Sequence, residues 1–216
     1  MKLVGSVSML AVLLSLPSIV TAQSSDHSFP RIGAYEIAGA SRATDPAYRE
    51  ALSKHDLIIL GLWRNWTGVD SSSNATLTIR DVVVDIKRRA AANGNNGILV
   101  GKYTIYNENF STRQNAAQRD RFDKLSSERG PGYRTNNDWW LRDANGQNTS
   151  SFEGTWNTNL TEFVTRDANG DTWSEWASRR DYEAFFQPVP EFDIWFIDNW
   201  FYRPRVTADW NGDGVN

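Results

Sequence analysis

Four short apolar runs, separated by stretches of helical period, constrain this chain more than any other feature. They are residues 31–38 (RIGAYEIA), 56–63 (DLIILGLW), 97–106 (GILVGKYTIY) and 191–198 (EFDIWFID). The second is continuously apolar after its first residue, as strands buried on both faces are. After the first run, Asp45-Pro46 opens a helix, with Asp as N-cap and Pro at the first helical position, that ends near Ser53. After the second, a loop over 65–75 rich in Ser, Gly and Asn leads into a helix over 79–92. Its Ile79, Val82, Val83, Ile86 and Ala90 recur at helical spacing, and Asn93-Gly94 stops it. The third interval is longer. It carries a polar helix over about 112–127, a Gly-Pro-Gly turn at 130–132, a hairpin over 138–151 turning at Asn145-Gly146, and a helix over about 172–186 ended by Pro188 and Pro190.

This alternation specifies parallel βαβ units. Two α/β architectures use them, the open doubly wound sheet and the closed (β/α)8 TIM-type barrel. No Gly-x-Gly-x-x-Gly or phosphate loop follows the first strand, which counts against a nucleotide-binding sheet. A full barrel takes about 250 residues, and only four strands fit here. The expected fold is therefore α/β, of the (β/α)8 TIM-barrel type, as an incomplete barrel of about four parallel strands with a long insert between the third and fourth. On this reading the chain is an amino-terminal portion of a longer protein. A complete four-stranded α/β domain is the alternative.

The start of the chain sets the expected compartment. Lys2 precedes an apolar run from Met9 to Val20, and Val20-Thr21-Ala22 offers short residues where a signal peptidase reads. Residues 1–22 thus read as a signal peptide, 23–30 as a polar leader and 31–216 as the partial barrel. The apolar run is too short for a membrane span, which needs roughly 20 residues. The mature protein is expected to be secreted, extracellular or periplasmic, and not held in a membrane. The formal net charge is −3 without a basic face, which argues against nucleic acid. Cysteine is absent, so thiol catalysis, zinc–thiolate sites and disulfides are excluded. His27 and His55 are the only histidines, too few and too far apart for a histidine metal site or a serine triad. The 10 tryptophans admit two explanations: core packing, or a cleft in which indoles stack on sugar rings.

In a β/α barrel the working residues lie at the carboxyl ends of the strands. Those ends carry Glu36, then Trp63 and Arg64, then Tyr106 to Glu108, then Asp198-Asn199-Trp200. Asp198 closes a dense apolar run and would face the barrel mouth beside aromatic rings; a turn cap, or a pair with Arg203 or Arg205, would be its structural role instead. Glycoside hydrolysis usually needs two carboxyl groups, one to protonate the leaving oxygen and one to attack or to activate water. Asp198 fits the second task, with Glu36 and Glu108 as the other strand-end acids. Asn-x-Ser/Thr acceptors stand at Asn65, Asn74, Asn109, Asn148 and Asn159 and matter only in a eukaryotic secretory pathway.

The stretch from Trp139 to Gln147 (WWLRDANGQ), with Trp156 and Asn159-Leu160-Thr161, resembles a segment of sequence-predicted glycoside hydrolases of the β/α-barrel type, related to the α-galactosidase-like enzymes. Residues 192–200 (FDIWFIDNW) resemble their fourth strand, and the early IGAY and LGLW segments are compatible with the first two. The resemblance covers about residues 31–214. It implies an exported glycoside hydrolase acting on a poly- or oligosaccharide without an organic cofactor, with Asp198 as nucleophile or general base. Trp63, Trp140 and Trp200 would stack on sugar, and Glu36, Arg64, Glu108 and Asn199 would bind its hydroxyls. Strands five to eight of that pattern, with the expected acid, are not in this sequence.

A non-catalytic carbohydrate-binding protein would use the same mouth. A third reading is a calcium-dependent structural domain. Residues 209–214 (DWNGDG) match the opening of a calcium loop, with Asp209, Asn211 and Asp213 as candidate ligands. An Asx-rich turn explains the same residues. Residues 167–171 (DANGD) resemble the loop less well and read as a turn before a helix capped by Thr172.

Overall fold

The computed structural model describes residues 32–36, 40–114, 118–127, 139–199 and 205–216. The expected signal peptide, the polar leader, the Gly-Pro-Gly turn and Trp200 lie outside the described residues. Four parallel strands form one sheet: β1 (Gly33–Glu36), β2 (Leu57–Leu60), β5 (Leu99–Ile105) and β8 (Ile194–Asp198), in the order β1-β2-β5-β8. Each parallel strand lies beside the next one in the chain. A doubly wound sheet reverses its order at a switch point, and this sheet does not. Right-handed crossovers between strands in sequential order place every connecting helix on one face, as in a barrel wall. The described part is a four-stranded parallel α/β wall; barrel closure is not part of it.

The connecting elements follow local chemistry. In α1 (Pro46–Leu52) the Asp45 carboxylate accepts from the Ala47 N–H at 2.8 Å, and Pro46 opens the helix. Helix α2 (Ile79–Ala92) starts from a reciprocal capping box between Thr78 and Asp81. It turns Val82, Val83, Ile86 and Ala90 onto Ile58, Leu60 and Val100 of the sheet. Helix α4 (Trp173–Asp181) has the same box, Thr172 with Glu175, and continues as a π-turn over Tyr182–Phe186. The π-turn sends Phe185 into this aliphatic core.

The loop expected over 65–75 is instead mostly hairpin. Strands β3 (Thr67–Asp70) and β4 (Ala75–Thr78) pair antiparallel, with Asn74 in the left-handed region at φ 55°. Asp70 accepts from the Ser72 N–H and hydroxyl at 2.9 and 2.6 Å, which closes the turn. Arg49 then ties the hairpin to both helices. It reaches Asp70 at 2.7 Å, Asp85 at 2.6 Å and the Ala43 carbonyl at 2.8 Å. Short polar Thr-rich strands carry little hydrophobic periodicity, so they read as loop.

The long insert builds a second core. It contains β6 (Glu108–Phe110) paired antiparallel with β7 (Thr155–Asn157), and α3 (Arg119–Ser127), shorter than the helix expected over 112–127. Trp139, Trp140, Trp173, Leu125 and Tyr106 are buried together, with Trp156 and Trp176 packed against them. The indole N–H groups of Trp139 and Trp173 donate to the carbonyls of Thr165 and Tyr106 at 2.7 and 2.9 Å, so these rings are buried with their polar atoms satisfied. The hairpin expected at Asn145-Gly146 is present as a tight turn with one bridge, Arg142 to Asn148. Residues 142–146 and 166–170 are both RDANG and both fold as Asx turns, Asp143 and Asp167 each accepting from two backbone amides at 2.8–2.9 Å. Among the described residues no helix is long and apolar enough to cross a membrane.

Candidate active site at the carboxyl ends of the strands

Strand alternation decides which residues share a surface. Gly101 stands beside Ile59 and Ile194, Tyr103 beside Phe196, and Ile105 beside Asp198. These positions and Tyr35 lie on the face turned away from the helices. Tyr35, Tyr103 and Phe196 form a ring cluster there, with centroids 5.5–6.2 Å apart. Gly101 leaves room for the Ile59 and Ile194 side chains, which a side chain at this position would crowd.

Asp198 ends the cluster at the carboxyl edge. Its Oδ2 accepts from the Tyr103 hydroxyl at 2.8 Å and its Oδ1 from the Asn199 backbone N–H at 2.8 Å. Burial and the donated hydrogen bond to Asp198 push the Tyr103 hydroxyl far above its ordinary value, so it remains a donor. Burial, then the nearby Asp198 charge, also raise Tyr35. Asn199 takes the left-handed conformation at φ 57°, which asparagine tolerates better than most residues. That turn aims its side chain at Glu108, with Nδ2 donating to Oε1 at 3.2 Å. Glu108, 8% exposed, also accepts from the Ser151 hydroxyl at 3.1 Å. Asp198, Asn199, Glu108 and Tyr103 therefore form one connected group in which each hydrogen bond has a carboxylate as acceptor.

The other expected site residues are placed elsewhere. Glu36 shares a register row with Leu60, Lys102 and Trp195, on the helix side. There it accepts from the Tyr48 hydroxyl and, at 3.2 Å, from Arg42. Tyr48 is pushed up to about 12 by burial and by that bond. Glu36 thus stands at a strand end but on the wrong side of its strand to meet a sugar beside Asp198. Arg64 is paired with Asp120 at 2.8 Å. Trp140 is 3% exposed, enclosed by Phe122 and Trp156, and offers no ring face to a sugar. Trp63 is half-buried and lies 5.6 Å from the Lys102 ammonium. Trp200 is outside the described residues.

The candidate calcium-loop residues make Asx-type hydrogen bonds to amides of their own segment. Asp209 accepts from the amides of Asp213 and Gly214 at 3.0 and 2.8 Å, and Asp213 from that of Val215 at 2.9 Å. Asn211 accepts from the Asp213 amide and donates to its carboxylate at 3.0 Å. The oxygens point into their own turn. Among the described residues no group of three acidic, histidine or cysteine side chains is arranged to hold a metal. The residues of this cluster that sequence reasoning missed are Tyr35, Tyr103 and Phe196. The available signal was parity: Tyr103 lies two residues before the end of its strand, on the face that ends in Asp198.

No family model matches the chain, and no curated protein matches it. Among solved structures it is similar to a noncanonic maltogenic α-amylase, AmyB, from Thermotoga neapolitana, at 14% identity and a TM-score of 0.37. The match covers 80% of this chain and 40% of that one, so the chain spans well under half of the amylase's length. At that score the likeness carries neither fold nor activity across.

Proposed function

We propose that the protein is an exported glycoside hydrolase, or the amino-terminal part of one, with Asp198 as the carboxylate that attacks the anomeric carbon or activates water against it. The observation that supports this reading is the position of Asp198. It ends a parallel strand on the open face, held by Tyr103 and the Asn199 amide and flanked by aromatic rings. Two donors fix the carboxylate and leave it room to accept from, or bond to, a sugar. Tyr35 and Phe196 supply an apolar surface suited to the C–H face of a pyranose.

The chemistry divides as follows. In a retaining reaction an Asp198 oxygen forms a bond to the anomeric carbon as the bond to the leaving oxygen breaks; the leaving oxygen takes a proton from a second acid. Glu108 is an orienting group in this scheme. Both its oxygens are engaged by Ser151 and Asn199, and it holds the turn that presents Asp198. The proton donor in this scheme is an acid other than Glu108.

The test is turnover of a panel of chromogenic aryl glycosides by the purified protein and by Asp198→Asn. The variant should lose at least about a thousandfold in kcat while its melting temperature and sugar binding are retained. Unchanged turnover would remove Asp198 from the mechanism. Sugar binding without turnover in the unmutated protein would favour a carbohydrate-binding role.

A further inference from the structure

A second polar cluster lies on the helix side of the sheet, away from Asp198. A cavity there is lined by Trp63, Lys102, Gln118, Arg121, Arg180 and Asp181, among others. The space that it leaves is small. Three cationic side chains meet at it, Lys102 at 1% exposure, Arg121 at 3% and Arg180 at 7%.

Their partners do not balance them. Arg180 holds Asp181 at 2.6 Å and Asp120 at 2.9 and 3.1 Å, and Asp120 is shared with Arg64 at 2.8 Å. Arg121 donates through Nη2 to the Ile105 carbonyl at 2.5 Å, while its buried Nε has no partner. The Lys102 ammonium donates to the Tyr103 carbonyl at 2.5 Å and lies 4.3 Å from the centroid of the Phe185 ring. Carbonyls and ring faces offset only part of the cost of desolvating a cation. Among the described residues the cluster thus sets the buried Lys102, Arg121 and Arg180 against two carboxylates, the buried Asp181 and the part-exposed Asp120 that Arg180 shares with Arg64. Buried charge in excess of one sign is relieved by a counter-charge or by loss of the Lys102 proton.

We infer that this cavity binds one monatomic halide anion, chloride in ordinary media, held by the Lys102 ammonium and the Arg121 guanidinium that line it. A monatomic anion needs the least room of the common anions. In the empty cavity, burial pushes Lys102 down to about 7, with Asp181 opposing and Arg180 and Arg121 adding to the fall. An anion in contact with the ammonium reverses that fall. The inference is independent of the hydrolase reading, since neither Lys102 nor Arg121 touches Asp198.

The experiment is thermal unfolding of the full chain at pH 7.5 in sodium chloride, sodium bromide and sodium gluconate at equal ionic strength. Either halide at about 100 mM should raise Tm by about 3 °C or more over gluconate, in a saturable way. The difference should vanish in Lys102→Met, which fills the space without the charge. Equal melting in all three salts would overturn the inference, as would a halide difference that survives in Lys102→Met. Should that variant not fold, chloride NMR of the unmutated protein decides. Line broadening that excess bromide reverses is expected, and no broadening would overturn the inference.

Discussion

On the helix side of the sheet, Ile58, Leu60 and Val100 meet Val82, Val83 and Ile86, and none of the six is more than 2% exposed. On the opposite side of the same strands Tyr35 is 51% exposed and Leu99 39%, and the aromatic cluster runs out to a carboxylate. Alternate residues of one strand therefore serve different ends. One set, from Ile58 to Val100, packs aliphatic side chains against the helices and supplies stability, with the polar cluster around Lys102 further along the same side. The other mixes buried Ile59, Tyr103 and Ile105 with part-exposed Tyr35 and Phe196, and presents hydrogen-bonding groups at the strand ends. The difference explains why strand-end position alone misplaces Glu36. An acid at the end of a strand reaches the open face only if its parity agrees with Tyr35 and Tyr103.

The contrast makes graded predictions. Ile86→Ala removes fully buried methylenes and should cost about 3 kcal/mol in urea unfolding. Tyr35→Ala, on the open face, should cost less than about 1.5 kcal/mol in the same experiment. Comparable losses would mean that both faces contribute equally to the core. Tyr103→Phe removes one donor from Asp198 and should lower turnover about tenfold, while Glu36→Gln should change it less than about twofold. A larger loss in Glu36→Gln would put the chemistry on the helix side.

The smallest effect is in acid. Burial pushes Asp85 up, but Arg89, Arg49 and Arg88 donate to it and together hold it at about 2, below its ordinary 3.8. A carboxyl lowered by folding adds stability above its unfolded value and loses it as pH falls through the folded one. Melting temperature should therefore drop between about pH 4 and pH 2, and Asp85→Asn should flatten the drop. An equal drop in the variant would assign acid lability elsewhere.

The helix and strand rhythm could be read before folding because strong local signals coincide there. Asp45-Pro46 and Thr78 with Asp81 cap helices, and the apolar spacing of α2 matches the residues it buries. Other features lacked such signals. The Thr-rich hairpin over 67–78 is held by Arg49, a contact between segments distant in the chain. Tryptophan content was equally consistent with core and cleft, and Trp139, Trp140 and Trp173 fall in the core. Lys102 is visible in the sequence only as a lone charge inside an otherwise apolar strand; the packing of α3 and α4 around it gives it meaning.

The division between the two faces can be read directly by carbodiimide tagging of carboxyl groups, mapped by peptide mass spectrometry with and without the glycoside turned over fastest. Asp198 should take the tag in free protein and lose it when sugar is bound, while the tagging of Glu36 stays the same. Protection of Glu36 with Asp198 unaffected would contradict the account.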